Sequence, residues 1–198
     1  MEPLLMVCLI LGYIWKVRYT HPYFWIAIPT LMIFSHLIRG EGFRALGFKV
    51  HGLWHYLKIL APAPILMILL SLAAGAWLHT LRPLGFDGVL LSLGAYLPWG
   101  LAQEYALNGY ILNRFDRALS EGAASILAAV LFAVVHAPNP FMMVVTLPLG
   151  WYATIVYRRT RNLYVLGIGH ALIGLTLFIV VPDWVSHHLR VGPGWFRP

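Results

Sequence analysis

The sequence predicts an all-α fold: a polytopic membrane helical bundle with about seven transmembrane helices. Three observations carry that reading. Of the 198 residues, 60% are hydrophobic and 11% charged, whereas soluble domains are about half apolar and about a quarter charged. The apolar residues gather in runs near the ~20 residues a spanning helix needs. The basic residues fall between those runs, as membrane loops require. The length suits one compact domain, 1–198.

Seven runs qualify, taken in order. The first, 3–15, is short, with neither the basic lead nor the small-residue cleavage site of a signal peptide. The second is 22–38. The third, 59–81, carries Pro62 and Pro64 in its first turns, where proline is tolerated. The fourth is 89–112. The fifth, 123–137, stops at Pro138 and Pro140. The sixth is 141–157 and the seventh 163–181. Between the second and third, 39–58 sets Arg44, Lys49, His51, His55 and Lys58 among Phe43, Leu46, Phe48, Leu53, Trp54 and Leu57. That pattern predicts a helix lying in the interface plane. The tail 183–198, with Trp184, His187, His188 and Trp195, reads the same way.

The loops after the second, fourth and sixth runs hold Arg39, Arg44, Lys49, Lys58, Arg114, Arg117, Arg158, Arg159 and Arg161. The other side holds Lys16, Arg18, Arg82, Arg190 and Arg197. The excess places the first set, and the N-terminus, in the cytoplasm. The net charge of +7 is thus membrane topology, and no basic–aromatic surface for nucleic acid is evident. One cysteine, Cys8, excludes an internal disulfide framework and a Cys-rich zinc site; it is expected to be an inert buried thiol.

Six of the seven acidic residues lie in loops or at helix ends. Glu104 alone lies inside an apolar run, about ten residues or ~15 Å of helix from the nearest basic loop. A carboxylate there is costly unless paired, hydrogen-bonded or protonated, and it marks a functional site by default. His136 ends the fifth run, one turn after Phe132, and His170 lies inside the seventh. The remaining histidines, His36 among them, lie in or near loops. One Glu and two His on three membrane helices predict a shared polar site. Glu and His can activate water, and a second His can donate to an oxyanion. No G-x-S-x-G elbow supports a covalent route. Zinc on Glu104, His136 and His170 is the alternative, since His, His and Glu is a catalytic zinc set, although no H-E-x-x-H helix accompanies it. The main expectation needs no cofactor.

These residues resemble a family. Gln103-Glu104-Tyr105-Ala106-Leu107-Asn108-Gly109 resembles the E-E-x-x-x-R-G motif of the CPBP intramembrane proteases, the group of type II CAAX prenyl proteases and bacterial Abi proteins. Phe132 to His136 resembles their F-x-x-x-H motif. His170-Ala171-Leu172-Ile173-Gly174 resembles H-A-x-x-N or H-A-x-x-D, and Arg44 to Phe48 resembles an upstream L-G-[LF] segment. The resemblance covers 43–181, with a catalytic core over 89–181. It implies a glutamate-type intramembrane endopeptidase acting on a membrane-associated peptide or protein. His136 would be the base partner and His170 the oxyanion donor. It also implies an integral protein of a bacterial or archaeal inner membrane, with the lipid bilayer as surroundings.

The motifs depart from the family at three positions. Gly109 fixes the register, so Gln103 stands where the family has its catalytic Glu, Asn108 replaces the Arg, and Gly174 replaces the Asn. Gln accepts no proton from water. Glu104 therefore serves only if the helix is rotated or the site rebuilt, because neighbouring residues point about 100° apart. Three explanations stand: an active subfamily using Glu104, a pseudoenzyme, or a silencing Glu-to-Gln change. The rival function is a catalytically silent membrane scaffold or immunity protein on the same fold. The expected site is one pocket holding Glu104, His136 and His170, with Gln103 and Asn108 at its rim and Phe132 and Gly174 in support.

Overall fold

The computed structural model describes residues 1–197, and every regular element among them is helical. Helices α1 (Glu2–Trp15) and α2 (Ala27–Ile38) are joined through two short 3-10 turns. Next come α3 (Leu53–Leu60), α4 (Pro62–Trp77) and α5 (Phe86–Glu104). The last continues as a π-helix over Tyr105–Leu112 and ends in the single turn α6 (Asn113–Phe115). Then follow α7 (Glu121–Val134), α8 (Pro140–Thr160), α9 (Leu163–Val180) and α10 (Asp183–Ser186). Side chains start the site-bearing helices. Ser120 accepts from Ala123 N, Asn139 from Met142 N, and Asn162 from both Tyr164 N and Val165 N, which satisfies amides that the first turn leaves open.

Of the seven expected spans, α8 and α9 stand as single helices long and apolar enough to cross a membrane, and α3 with α4 adds a third if counted as one span bent by 50°. The bend sits where Pro62 begins α4, so the third run is broken at its start rather than continuous. Helix α7 has 14 residues, about 21 Å of rise against the ~30 Å of a hydrocarbon core. The interface helix expected over 39–58 forms only at Leu53–Leu60; the residues before it are turns. The tail is a short helical turn followed by 3-10 turns, and its last residue, Pro198, lies outside the described residues. Cys8 is exposed, not buried: α1 turns Met6 and Val7 inward and presents Cys8 on its outer face. His36, expected near a loop, is 2% exposed and belongs to the interior.

The interior is built around the π-helix, where Leu107, Asn108, Tyr110 and Leu112 are all fully buried. Helix α5 runs along α9, and α7 along α8. Small residues permit both approaches, as in membrane helix pairs generally. A Cβ on Gly100 would lie 2.8 Å from Gly167 O and 3.1 Å from Ala171 N, and one on Gly167 would lie 2.9 Å from Leu101 Cα. Gly150 gives Phe132 its place in the same way, 3.0 Å from a Cβ built there. Outward faces are apolar, with Trp77, Leu91 and Val144 exposed, which suits lipid rather than water as surroundings. Gly47 at φ +102° seats the segment resembling L-G-[LF] on the α8–α9 junction, where Gly47 O accepts from Leu163 N and Leu46 O from Tyr157 Oη, each at 2.8 Å.

Candidate active site

The crossing of α5 and α9 at Gly100 and Gly167 brings their next turns together, and there Glu104 meets His170. Glu104 Oε1 and His170 Nδ1 are 2.8 Å apart, and Asn108 Nδ2 donates to Glu104 Oε2 at 2.7 Å. Glu104 and Asn108 are buried and His170 is partly so. Both carboxylate oxygens are therefore engaged by donors, which offsets the cost of a charge removed from water.

His136 follows α7 and accounts for its Nδ1 by a 2.7 Å hydrogen bond to Phe132 O. A carbonyl only accepts, so Nδ1 carries the proton and Nε2 of the neutral ring is the acceptor. The Phe132 ring stands edge-on to both imidazoles, 4.9 Å from His136 and 6.0 Å from His170 between centroids. The three expected residues thus form one cluster on three chain segments. Glu104 bonds His170 directly, while His136 joins through Phe132. With Nδ1 of each ring taken by the protein, Nε2 is the atom each can offer to a water or a substrate.

The π-helix sets this geometry. It begins directly after Glu104, and such wide turns cluster at functional sites. Gly109 makes it possible: a Cβ there would fall 2.7 Å from Tyr105 Cδ2, so the ring lies over the bare glycine. With that helical register, Glu104 faces α9, whereas Gln103 is half-buried and makes no side-chain hydrogen bond. Asn108, expected at the rim, is wholly buried against the carboxylate, and its Oδ1 has no hydrogen-bond partner. Gly174 lies one turn beyond His170, and the Tyr96 ring fills the space beside it, 3.0 Å from a Cβ built there. Two clefts, of about 380 and 210 Å³, lie outside the cluster and are lined by none of these residues. Among the described residues, no three His, Cys, Asp or Glu side chains are grouped as a metal site needs.

A second polar group escaped the sequence reading. Arg114 donates from Nη1 to both Glu41 oxygens at 3.0 and 2.8 Å and from Nη2 to Ser35 Oγ at 3.0 Å. Glu2 accepts from Tyr110 Oη at 2.8 Å and from Arg39 at 2.5 Å, and it bonds Ser35 as well. Burial works against the Glu2 charge, but the Ser35 and Tyr110 hydrogen bonds, with the Arg114 charge, outweigh it and hold its carboxyl down at about 2. Glu41 is likewise held below its usual value: burial opposes ionisation, and the His36 and Arg114 hydrogen bonds prevail. Charges 37 to 112 residues apart give no sign of pairing along a sequence, which is why the group was missed.

An all-helical bundle with apolar outward faces and a buried carboxylate–imidazole pair defines an integral membrane protein with a polar site inside it. Residues 83–176 match the model of the family described as type II CAAX prenyl endopeptidase Rce1-like. That region contains Glu104, His136 and His170, and over it the chain is similar to the CPBP and CAAX proteases, a family of membrane proteases. No curated protein and no solved structure matches the chain.

Proposed function

We propose that the protein is an intramembrane endopeptidase of the glutamate–histidine type, hydrolysing a peptide bond of a membrane-associated protein or peptide. The observation that carries this reading is Glu104 bonded to His170, with the second imidazole, His136, packed across Phe132. His136 Nε2 takes a proton from water, and the oxygen attacks the peptide carbonyl carbon. His170, protonated and held by the Glu104 carboxylate, donates from Nε2 to the oxyanion. The carbon–nitrogen bond breaks as His136 returns its proton to the leaving amine. Glu104 in this arrangement acts through His170, as a buried carboxylate orients and charges a catalytic imidazole elsewhere. The N-terminus and the basic loops face the cytoplasm of a bacterial or archaeal cell, and the reaction uses no metal.

Glu104→Gln tests it. Cleavage of a membrane-tethered peptide by purified protein in liposomes should fall by ~100-fold to 10,000-fold, the usual worth of positioned acid–base groups. Full activity in that variant sinks the assignment of Glu104. Loss of activity to a chelator, with recovery on adding zinc, would replace this mechanism with metal-activated water. No cleavage by the native chain across a broad peptide set would favour a silent scaffold on the same fold.

A further inference from the structure

We infer that Asn139 is a positioning residue, tying the segment that bears His136 to a hook formed by the chain's C-terminal segment; its bearing on catalysis rests on the proposed function. Asn139 is fully buried and engages its carboxamide oxygen and both carboxamide protons in one place. Its Oδ1 accepts from Met142 N at 3.0 Å, starting α8. Its Nδ2 donates to Ser186 O at 2.8 Å and to Arg190 O at 3.0 Å. Its own amide donates to His136 O at 3.1 Å. One residue after His136, Ala137 O accepts from Gly192 N at 2.9 Å. Three hydrogen bonds thus run from the C-terminal segment to the two residues Ala137 and Asn139.

The hook is held in a conformation it would not choose alone. His187, His188 and Leu189 have φ of 45°, 55° and 57°, three consecutive non-glycine residues in a left-handed region that L-residues enter singly. Such runs persist only where the surroundings over-determine them. The anchors here are Asn139 on one side and Arg82 on the other, which reaches Val181 O at 3.1 Å, Asp183, and His188 Nδ1 at 3.2 Å. The His187 and Trp195 rings stack at 3.7 Å and close the hook on itself. Helix α7 stops short at Val134, so His136 sits in a turn, its amide donating to Ala133 O and its ring to Phe132 O, with no continuing helix behind it. The hook supplies that restraint from outside.

Asn139→Ser separates the two jobs of the side chain, because Ser still caps a helix but cannot span to Ser186 and Arg190. In the whole chain in liposomes, amide exchange at His136, Ala137, residue 139 and Gly192 should speed up at least tenfold while α8 stays protected. The turnover number on a membrane-tethered peptide should drop by ~10-fold to 100-fold with KM within twofold, the size of loss that small misplacement of a reacting group produces. Asn139→Asp, which keeps the cap but not the amide donors, should behave like Asn139→Ser. Unchanged exchange at those amides in both variants overturns the hook, whether or not any peptide is cleaved. Faster exchange with native turnover overturns the positioning role. Absence of cleavage by the native chain counts against the proposed function, and the exchange data still decide the anchoring.

Discussion

At the residue scale, the informative comparison is Gln103 against Glu104. The motif register assigns the family's catalytic carboxylate to position 103, yet the side chain facing α9 belongs to 104. His170 and Asn108 hold its two oxygens at 2.8 and 2.7 Å. Gln103 touches no polar partner. Gln103→Glu should therefore change cleavage by less than about threefold if Glu104 acts through His170. A dormant enzyme waiting for its first Glu would instead gain activity from near zero, so assaying Gln103→Glu beside native protein separates the two. The motifs made Glu104, His136 and His170 legible as one site. The resemblance made His136 the partner of the carboxylate, whereas His170 holds it; the pairing depends on where the π-helix begins, and nothing in hydrophobic periodicity marks the change from α to π at Tyr105.

At the element scale, the site depends on how closely α5 and α9 approach one turn before Glu104 and His170. Gly100 faces Gly167 O and the Ala171 amide with no room for a methyl group. Gly100→Leu should push the helices apart, cost about 1–3 kcal/mol as overpacking does, and remove cleavage by separating Glu104 from His170. A thermal unfolding scan in detergent and the peptide assay should move together. Native activity in Gly100→Leu would show that the crossing does not set the carboxylate–imidazole distance. Runs of apolar residues made α8 and α9 legible nearly to their ends. Other elements were less so because proline, capping and bending act locally: Pro62 restarts a helix where hydropathy reads straight through, and the part of 39–58 before α3 is turns, seated on α8 and α9 through Gly47. Fold class needs only composition, while these boundaries need tertiary contacts.

At the scale of the whole molecule, charge is sorted to two ends. Glu2, Arg39, Glu41, Arg114 and Arg117 bond one another at one end, with Asp116 and Arg158 paired there through two contacts of 2.9 and 2.5 Å. Arg82, Asp183 and His188 form a separate group in which Asp183 bonds both of the others. The first group ties α1 and α2, outside the family-matched region, to the end of the π-helix inside it, so it couples the N-terminal helices to the element bearing Glu104. Glu2 is the test of that coupling. Its carboxyl ordinarily titrates near 4.5 and is held down at about 2 in the folded protein. A depressed folded value means the ionised group stabilises the fold above about pH 4.5, and that contribution is lost as pH falls through about 2. Glu2→Gln should therefore melt below the native chain at pH 7, and the gap should close as the two are compared at successively lower pH between about 4.5 and 2. The measurement is the difference in melting temperature between the two proteins in one detergent, which cancels the acid response of Glu41 and the other carboxylates to first order. A gap of constant size from pH 7 to pH 2 would mean that Glu2 holds α1 by shape alone, and that its bonds to Ser35, Tyr110 and Arg39 do not depend on its charge.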